Sequence, residues 1–175
     1  ITQENGQVIL IRNTKNAIFT SCIDDINQLK QQESQEKGIV VTKLPYSAEK
    51  IALGEDHAIV LTSQKKLYAW GSNEYGQLAL GTDKIYQEEC SIQQLTSIPF
   101  VDSNNEYIID VQTGLYFTLL LSNKGHVYSS GDNSFGQCGY DNILHVDQLH
   151  RIDSLPPIKE MAVGENHSLF LSQDE

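Results

Sequence analysis

The stretch "LYAWGSNEYGQLALGT", beginning at Leu67, returns in outline as "VYSSGDNSFGQCGYD", beginning at Val127. Gly71, Asn73, Gly76 and Gln77 in the first copy match Gly131, Asn133, Gly136 and Gln137 in the second. The flanks keep the same register: Gly54 stands 17 residues before Gly71, and Gly114 stands 17 before Gly131. A third copy opens as "IKEMAVGENHSLFLSQDE", with Gly164 lying 50 residues after Gly114. Self-similarity at a period of 50 to 60 residues restricts the chain to architectures built by stacking one supersecondary unit.

Each unit decodes into strands. "IALG" and "HAIVLT" are short apolar and β-branched runs separated by a turn, where Gly54, Gly114 and Gly164 are expected to supply a positive φ. A second turn, "SQKK" or "SNKG", leads to "LYAW" or "VYSS", and the glycine frame then bends the chain away. A fourth run follows each time: "GIVVTKLP", "SIQQLTSIP" and "VDQLHRIDSLPP". Proline at the end of such runs fits an edge strand or its exit. Four short strands per unit without a strong helix predict an all-β chain of β-propeller blades, each of four antiparallel strands. The periods fall at about 1–60, 61–120 and 121–172, giving about three blades with both ends cut within a blade. Three blades do not close a ring, so further blades of the same or another chain are expected to complete the 1–175 partial propeller.

The totals narrow the partners. Asp plus Glu is 23 against 12 for Lys plus Arg, a net charge of −11, and no basic run exceeds Lys65-Lys66. Such a surface disfavours direct binding to nucleic acid or anionic membrane. Cys22, Cys90 and Cys138 lie 68 and 48 residues apart, which matches neither zinc-site nor CxxC spacing. Three thiols fit a reducing compartment, and no apolar run reaches the roughly 18 residues of a membrane span. The chain is therefore expected to be intracellular, in cytoplasm or nucleus, with cytoskeletal or ciliary association as a further option.

Repetition also judges the tempting residues. His57 and His167 share one place in the unit, and Phe117 fills it in the middle copy. A ligand or general base has no such exchange with Phe, so packing is expected. The glycine frame opens no helix, and Gln77 and Gln137 stand where a phosphate loop needs Lys. Its glycines read as turn residues, and Asn73 and Asn133 as bonded to local backbone. Cys138 takes the place of Leu78 and is expected to be buried. His126, His145 and His150 do not recur and are expected on solvated loops, with no carboxylate pattern nearby. Neither catalytic, cofactor nor metal residues emerge, so the chain is read as no enzyme.

The candidates for partner binding are two aromatics of the frame and four acidic residues of non-recurring segments: Tyr75, Phe135, Asp24, Asp25, Glu88 and Glu89. Tyr75 and Phe135 occupy one place in the frame, where packing between blades and an aromatic anchor for a partner are both open. Asp24 and Asp25 lie in "TSCIDDINQLKQQESQEKG", which reads as a short helix capped by Thr20 or Ser21 or as a polar loop. Glu88 and Glu89 lie in the long loop "GTDKIYQEECSIQQL".

The spaced string from Gly54 and His57 through Leu61 and Tyr68 to Gly71, Asn73, Gly76 and Gln77 resembles the regulator of chromosome condensation repeat family. No Trp-Asp dipeptide marks a WD repeat, and Kelch-like paired glycines are absent. The match covers most of residues 38–172, whereas "RNTKNA" replaces the frame in the first unit. The resemblance implies membership of a seven-bladed propeller. It also implies a function as a non-enzymatic protein–protein interaction scaffold. The alternative it raises is a guanine nucleotide exchange factor acting on a small GTPase through one propeller face. Other relatives are ubiquitin-ligase, kinase, ciliary or endosomal scaffolds. Only blade-forming positions match, so no exchange-factor residue carries over.

Overall fold

The computed structural model describes the backbone of residues 9–12, 18–21, 40–43, 48–81, 90–95 and 105–174, and the side chains of 48–81, 94–95 and 105–174. The chain divides into two compact units, Ile1–Glu49 with Thr62–Gln64, and Lys50–Leu61 with Lys65–Glu175. In the first, β1 (Ile9–Arg12) lies between β2 (Ile18–Ser21) and β3 (Val40–Lys43) in an antiparallel three-stranded sheet. Thr20 and Ser21 thus belong to a strand, and the segment that the sequence left between helix and loop lies outside the described residues, with Asp24 and Asp25.

The repeats build the other sheets. β4 (Ala48–Leu53), β5 (His57–Thr62), β6 (Leu67–Gly71) and β7 (Cys90–Gln94) follow one another in a four-stranded antiparallel sheet. β8 (Ile108–Thr113), β9 (Phe117–Ser122), β10 (Val127–Asp132) and β11 (His145–Arg151) repeat that order. β12 (Ile158–Val163) and β13 (Ser168–Ser172) form a two-stranded hairpin sheet. These are propeller blades, and the chain is a partial propeller.

Both faces of the second strand are apolar, which explains why β5 and β9 show no polar alternation. Leu120 of β9 joins Ile59, Leu61, Ile108 and Tyr128 in one core. Phe117, Leu119 and Leu121 of the same strand join Val127, Ile158 and Met161 in the next. Burying such side chains contributes on the order of 2 kcal/mol each relative to exposure.

The expected positive φ at Gly54, Gly114 and Gly164 is not what the turns use. Positive-φ glycines are instead Gly71, Gly76, Gly81, Gly125, Gly131, Gly136 and Gly139. Gly54, Gly114 and Gly164 are glycines because a Cβ there would overlap the ring three residues on, that of His57, Phe117 or His167. The ring lies over the bare glycine, and the constraint is space rather than backbone angle.

Candidate functional site

The β4–β5 turn and the β6–β7 connection lie at one end of their sheet, as antiparallel order requires. Backbone bonds link this end from blade to blade: Glu55 N donates to Leu115 O at 3.1 Å, and Leu115 N donates to Glu165 O at 2.9 Å.

The glycine frame at this end is held by its own amides. Asn73 Oδ1 accepts from Leu78 N at 2.8 Å, and Asn133 Oδ1 accepts from Cys138 N at 2.9 Å. Gln77 Oε1 accepts from Tyr75 N, and Gln137 Oε1 from Phe135 N, both at 2.9 Å. Gly71, Gly76, Gly131 and Gly136 have φ of 104°, 83°, 109° and 77°, so the turn reading of the frame holds. Cys138 is buried as expected, its thiol pushed up to about 12 by burial.

Frame and neighbouring blade are joined by hydroxyls. Thr118 Oγ1 donates to Gln77 O, and Ser168 Oγ donates to Gln137 O, each at 2.8 Å. With its proton so engaged, Thr118 Oγ1 accepts from His57 Nε2 at 3.2 Å. His57 is fully buried, so the expected packing role stands. The two copies anchor their glutamine differently. Gln77 Nε2 donates to Asp56 Oδ1 at 3.3 Å, whereas Gln137 Nε2 donates to Asp132 Oδ2 at 2.8 Å. Burial works to raise the Asp56 carboxyl, but the His57 ring and hydrogen bonds from Gln77 and Ser72 outweigh it and hold it below its ordinary value. In the second blade Tyr116 stands where Asp56 stands in the first, and the carboxylate has moved to the frame.

That exchange builds an aromatic surface. The Tyr75 ring lies 5.1 Å from the Tyr116 ring, tilted by 37°, and 5.4 Å from the His145 ring. Tyr75 therefore packs on the neighbouring blade while remaining half-buried. Phe135 does not share this setting and is 77% exposed, beside a loop where Ile143 and Leu144 are 47% and 66% exposed. Asn133 Nδ2 donates to Tyr140 O at 2.8 Å and Ile143 O at 2.6 Å, fixing that loop. A cavity of about 350 Å³ runs along β11, lined by Tyr140, His145 and His150 among others. Of the remaining candidates, Asp24, Asp25, Glu88 and Glu89 lie outside the described residues.

The non-recurring histidines depart from expectation. His145 and His150 lie in β11, whereas His126 keeps to the loop just before β10, as expected, but is paired there. His126 Nδ1 stands 2.8 Å from Glu106 Oε1, which also accepts from the Tyr128 hydroxyl at 3.1 Å. His145 Nδ1 lies 4.0 Å from Asp132 Oδ1. Each carboxylate comes from another element, so no local spacing announces it. Burial works to raise Glu106, but hydrogen bonds from Ser122 and His126, the His126 charge and the Tyr128 hydroxyl bring it below 4.5. Among the described residues no group of three His, Cys, Asp or Glu is placed to hold a metal ion, and no helix is long and apolar enough to cross a membrane.

Known proteins share this pattern. The X-linked retinitis pigmentosa GTPase regulator of Mus musculus is 31% identical over 127 residues, covering 71% of this chain and 12% of the relative. The probable E3 ubiquitin-protein ligase HERC4 of Homo sapiens is 30% identical over 127 residues, covering 71% and 11%. The guanine nucleotide exchange factor SRM1 of Saccharomyces cerevisiae is 32% identical over 155 residues, covering 85% and 30%. The chain thus spans less than a third of each of these relatives. In three dimensions it resembles yeast RCC1 (Prp20), solved bound to Kap60, with a TM-score of 0.65 at 22% identity over 90% of this chain and 38% of that one. The sequence pattern of the regulator of chromosome condensation (RCC1) repeat matches residues 66–121 and 124–171, and a second form of it matches 48–77 and 108–137. With more than half its length matched and both four-stranded blades carrying the frame within the match, the chain belongs to the regulator of chromosome condensation (RCC1) repeat family.

Proposed function

We propose that this chain is a non-enzymatic interaction scaffold whose frame-bearing end docks a protein partner. One observation carries the reading. The recurring polar side chains of the frame, Asn73, Gln77, Asn133 and Gln137, are buried and bonded within the protein, while one frame aromatic, Phe135, faces outward at 77% exposure. An exposed large aromatic on a loop fixed by internal hydrogen bonds has the properties of an interface anchor. The reading includes a further blade against β13. Leu169 and Leu171 are 63% and 41% exposed there, whereas their β9 counterparts Leu119 and Leu121 are 0% and 2% exposed.

The second reading is exchange-factor activity on a small GTPase, which the similarity to SRM1 favours. Two experiments separate them. In the full-length protein, Phe135→Asp with Leu144→Asp is expected to abolish cross-linking to the native partner with the melting temperature unchanged. Retained cross-linking would remove this end of the blades from the reading. Mixing catalytic amounts of protein with a panel of small GTPases and following nucleotide release tests the other: stimulated release would replace scaffold by exchange factor.

A further inference from the structure

The two ends of the blades in the second unit differ in charge. At the frame-bearing end stand Glu55, Asp56, Glu74, Asp132, Asp141 and Glu165, and no Lys or Arg among the described residues. The opposite end carries Lys65, Lys66, Lys124 and Arg151, of which Lys65 caps the Tyr107 ring at 5.8 Å and Arg151 pairs with Asp153 at 3.2 Å. The acidic end also holds the half-buried rings of Tyr75, Tyr116 and His145, delivered by three separate segments. Desolvation raises the Tyr116 hydroxyl above its ordinary value, and the carboxylates of Asp56, Glu55 and Glu74 push it further, so all three act on one spot. Asp56 is already engaged by Gln77, whereas Glu55 is exposed on the turn whose backbone bonds Leu115, next to Tyr116, and Glu74 is half-buried next to Tyr75 in the chain.

We infer that the Tyr75–Tyr116 pair, rimmed by Glu55 and Glu74, is a seat for an arginine side chain of a basic protein segment. Aromatic faces attract a cation, most strongly once water is displaced. A guanidinium is planar and weakly hydrated, so it stacks on a ring while its N–H groups reach carboxylates beside it, which an ammonium does less well. Tilted rings at 5.1 Å offer a face and an edge to one flat group, and the two carboxylates supply acceptors at the rim. The unbalanced negative charge draws such a segment to this end rather than the other. The inference rests on the scaffold reading above and names the chemistry of the partner it would dock.

The test is calorimetric titration of the full-length protein with three synthetic peptides, a Gly-Arg repeat, its Gly-Lys counterpart and its Gly-Glu counterpart. The arginine peptide is expected to bind several-fold more tightly than the lysine peptide, and the glutamate peptide not at all. Tyr116→Leu is expected to remove the preference for arginine, and Glu55→Lys with Glu74→Lys to weaken binding at least tenfold. Where the charge reversal lowers the melting temperature, Glu55→Gln with Glu74→Gln gives the same reading at several-fold weaker binding. Equal affinity for arginine and lysine in the wild type, or arginine binding indifferent to these substitutions, would overturn the seat. Failure of every peptide would overturn it too, while partner cross-linking that still depends on Phe135 would leave the scaffold reading standing.

Discussion

Two junctions between blades can be compared within this chain, one joining β5 to β9 and the other β9 to β13. The same parts recur at both: a backbone bond between turns, a hydroxyl donated to the glutamine carbonyl, and apolar side chains between the sheets. The ring over the glycine differs, being His57 at the first and Phe117 at the second. The glutamine anchor differs as well, Asp56 at the first and Asp132 at the second. What stays constant is the geometry of the seal. What varies is the chemistry at positions where a second residue can supply the same contact.

The largest effects fall on the constant parts. Gly131→Ala places a Cβ 2.6 Å from Phe117 Cα and against Tyr116 O at a φ of 109°, and is expected to cost about 3 kcal/mol or more in urea unfolding. Gly136→Ala meets nothing within 4 Å and is strained only by its φ of 77°, so about 1 kcal/mol is expected. Its counterpart Gly76→Ala would meet Asp147 Cα at 2.9 Å and should exceed it; equal costs would show that the two frames are not held differently.

Next come the hydroxyls. Thr118→Val strips the partner from both Gln77 O and His57 Nε2, and about 2 kcal/mol is expected from thermal or urea unfolding. Ser168→Ala at the other junction removes one bond to Gln137 O, with about 1 kcal/mol expected. His57→Phe copies the second junction into the first and loses the bond to Thr118 and the ring nitrogen beside the half-buried Asp56, so the cost is expected to stay within about 1 kcal/mol. A larger loss would mean that His57 does more than fill the space above Gly54.

The smallest effect is the pH dependence that Glu106 contributes in the second blade. Glu106 has a folded pKa below 4.5, so its contribution is fully present above that value and fades as pH falls through the folded pKa. Glu106→Gln is expected to flatten the acid limb of a melting-temperature profile below about pH 4.5 and to leave its slope near neutrality unchanged. An unchanged profile would dismiss the His126 pair as a stabilising contact.

The strands were readable in the sequence because each is a short apolar run between fixed glycines, and the runs at Ile158–Val163 and Cys90–Gln94 fall where the pattern puts them. The frame was readable for the same reason: Asn73 and Gln77 make bonds within a few residues of themselves. Gly54 was misread because a missing side chain leaves two explanations, backbone freedom and room for a neighbour, and only coordinates separate them. The pairing of Glu106 with His126 was missed because 20 residues and two strands separate them. The Tyr75–Tyr116–His145 cluster was equally hidden, since three elements meet there through the blade-to-blade register and through no spacing along the chain.

The hydroxyl seals also set an order in time as the chain leaves the ribosome. Thr118 lies 41 residues beyond Gln77, and Ser168 lies 31 beyond Gln137, so a frame is finished only by residues made after it. At a synthesis rate of roughly 5–20 residues per second, that delay is on the order of two to eight seconds. Once its fourth strand has also been made, the sheet still waits for the apolar cover that its successor brings. A chaperone would therefore meet each blade in turn at its leading face, and a stall just after the Asn-Gly-Gln frame would prolong that exposure more than a stall just after Thr118.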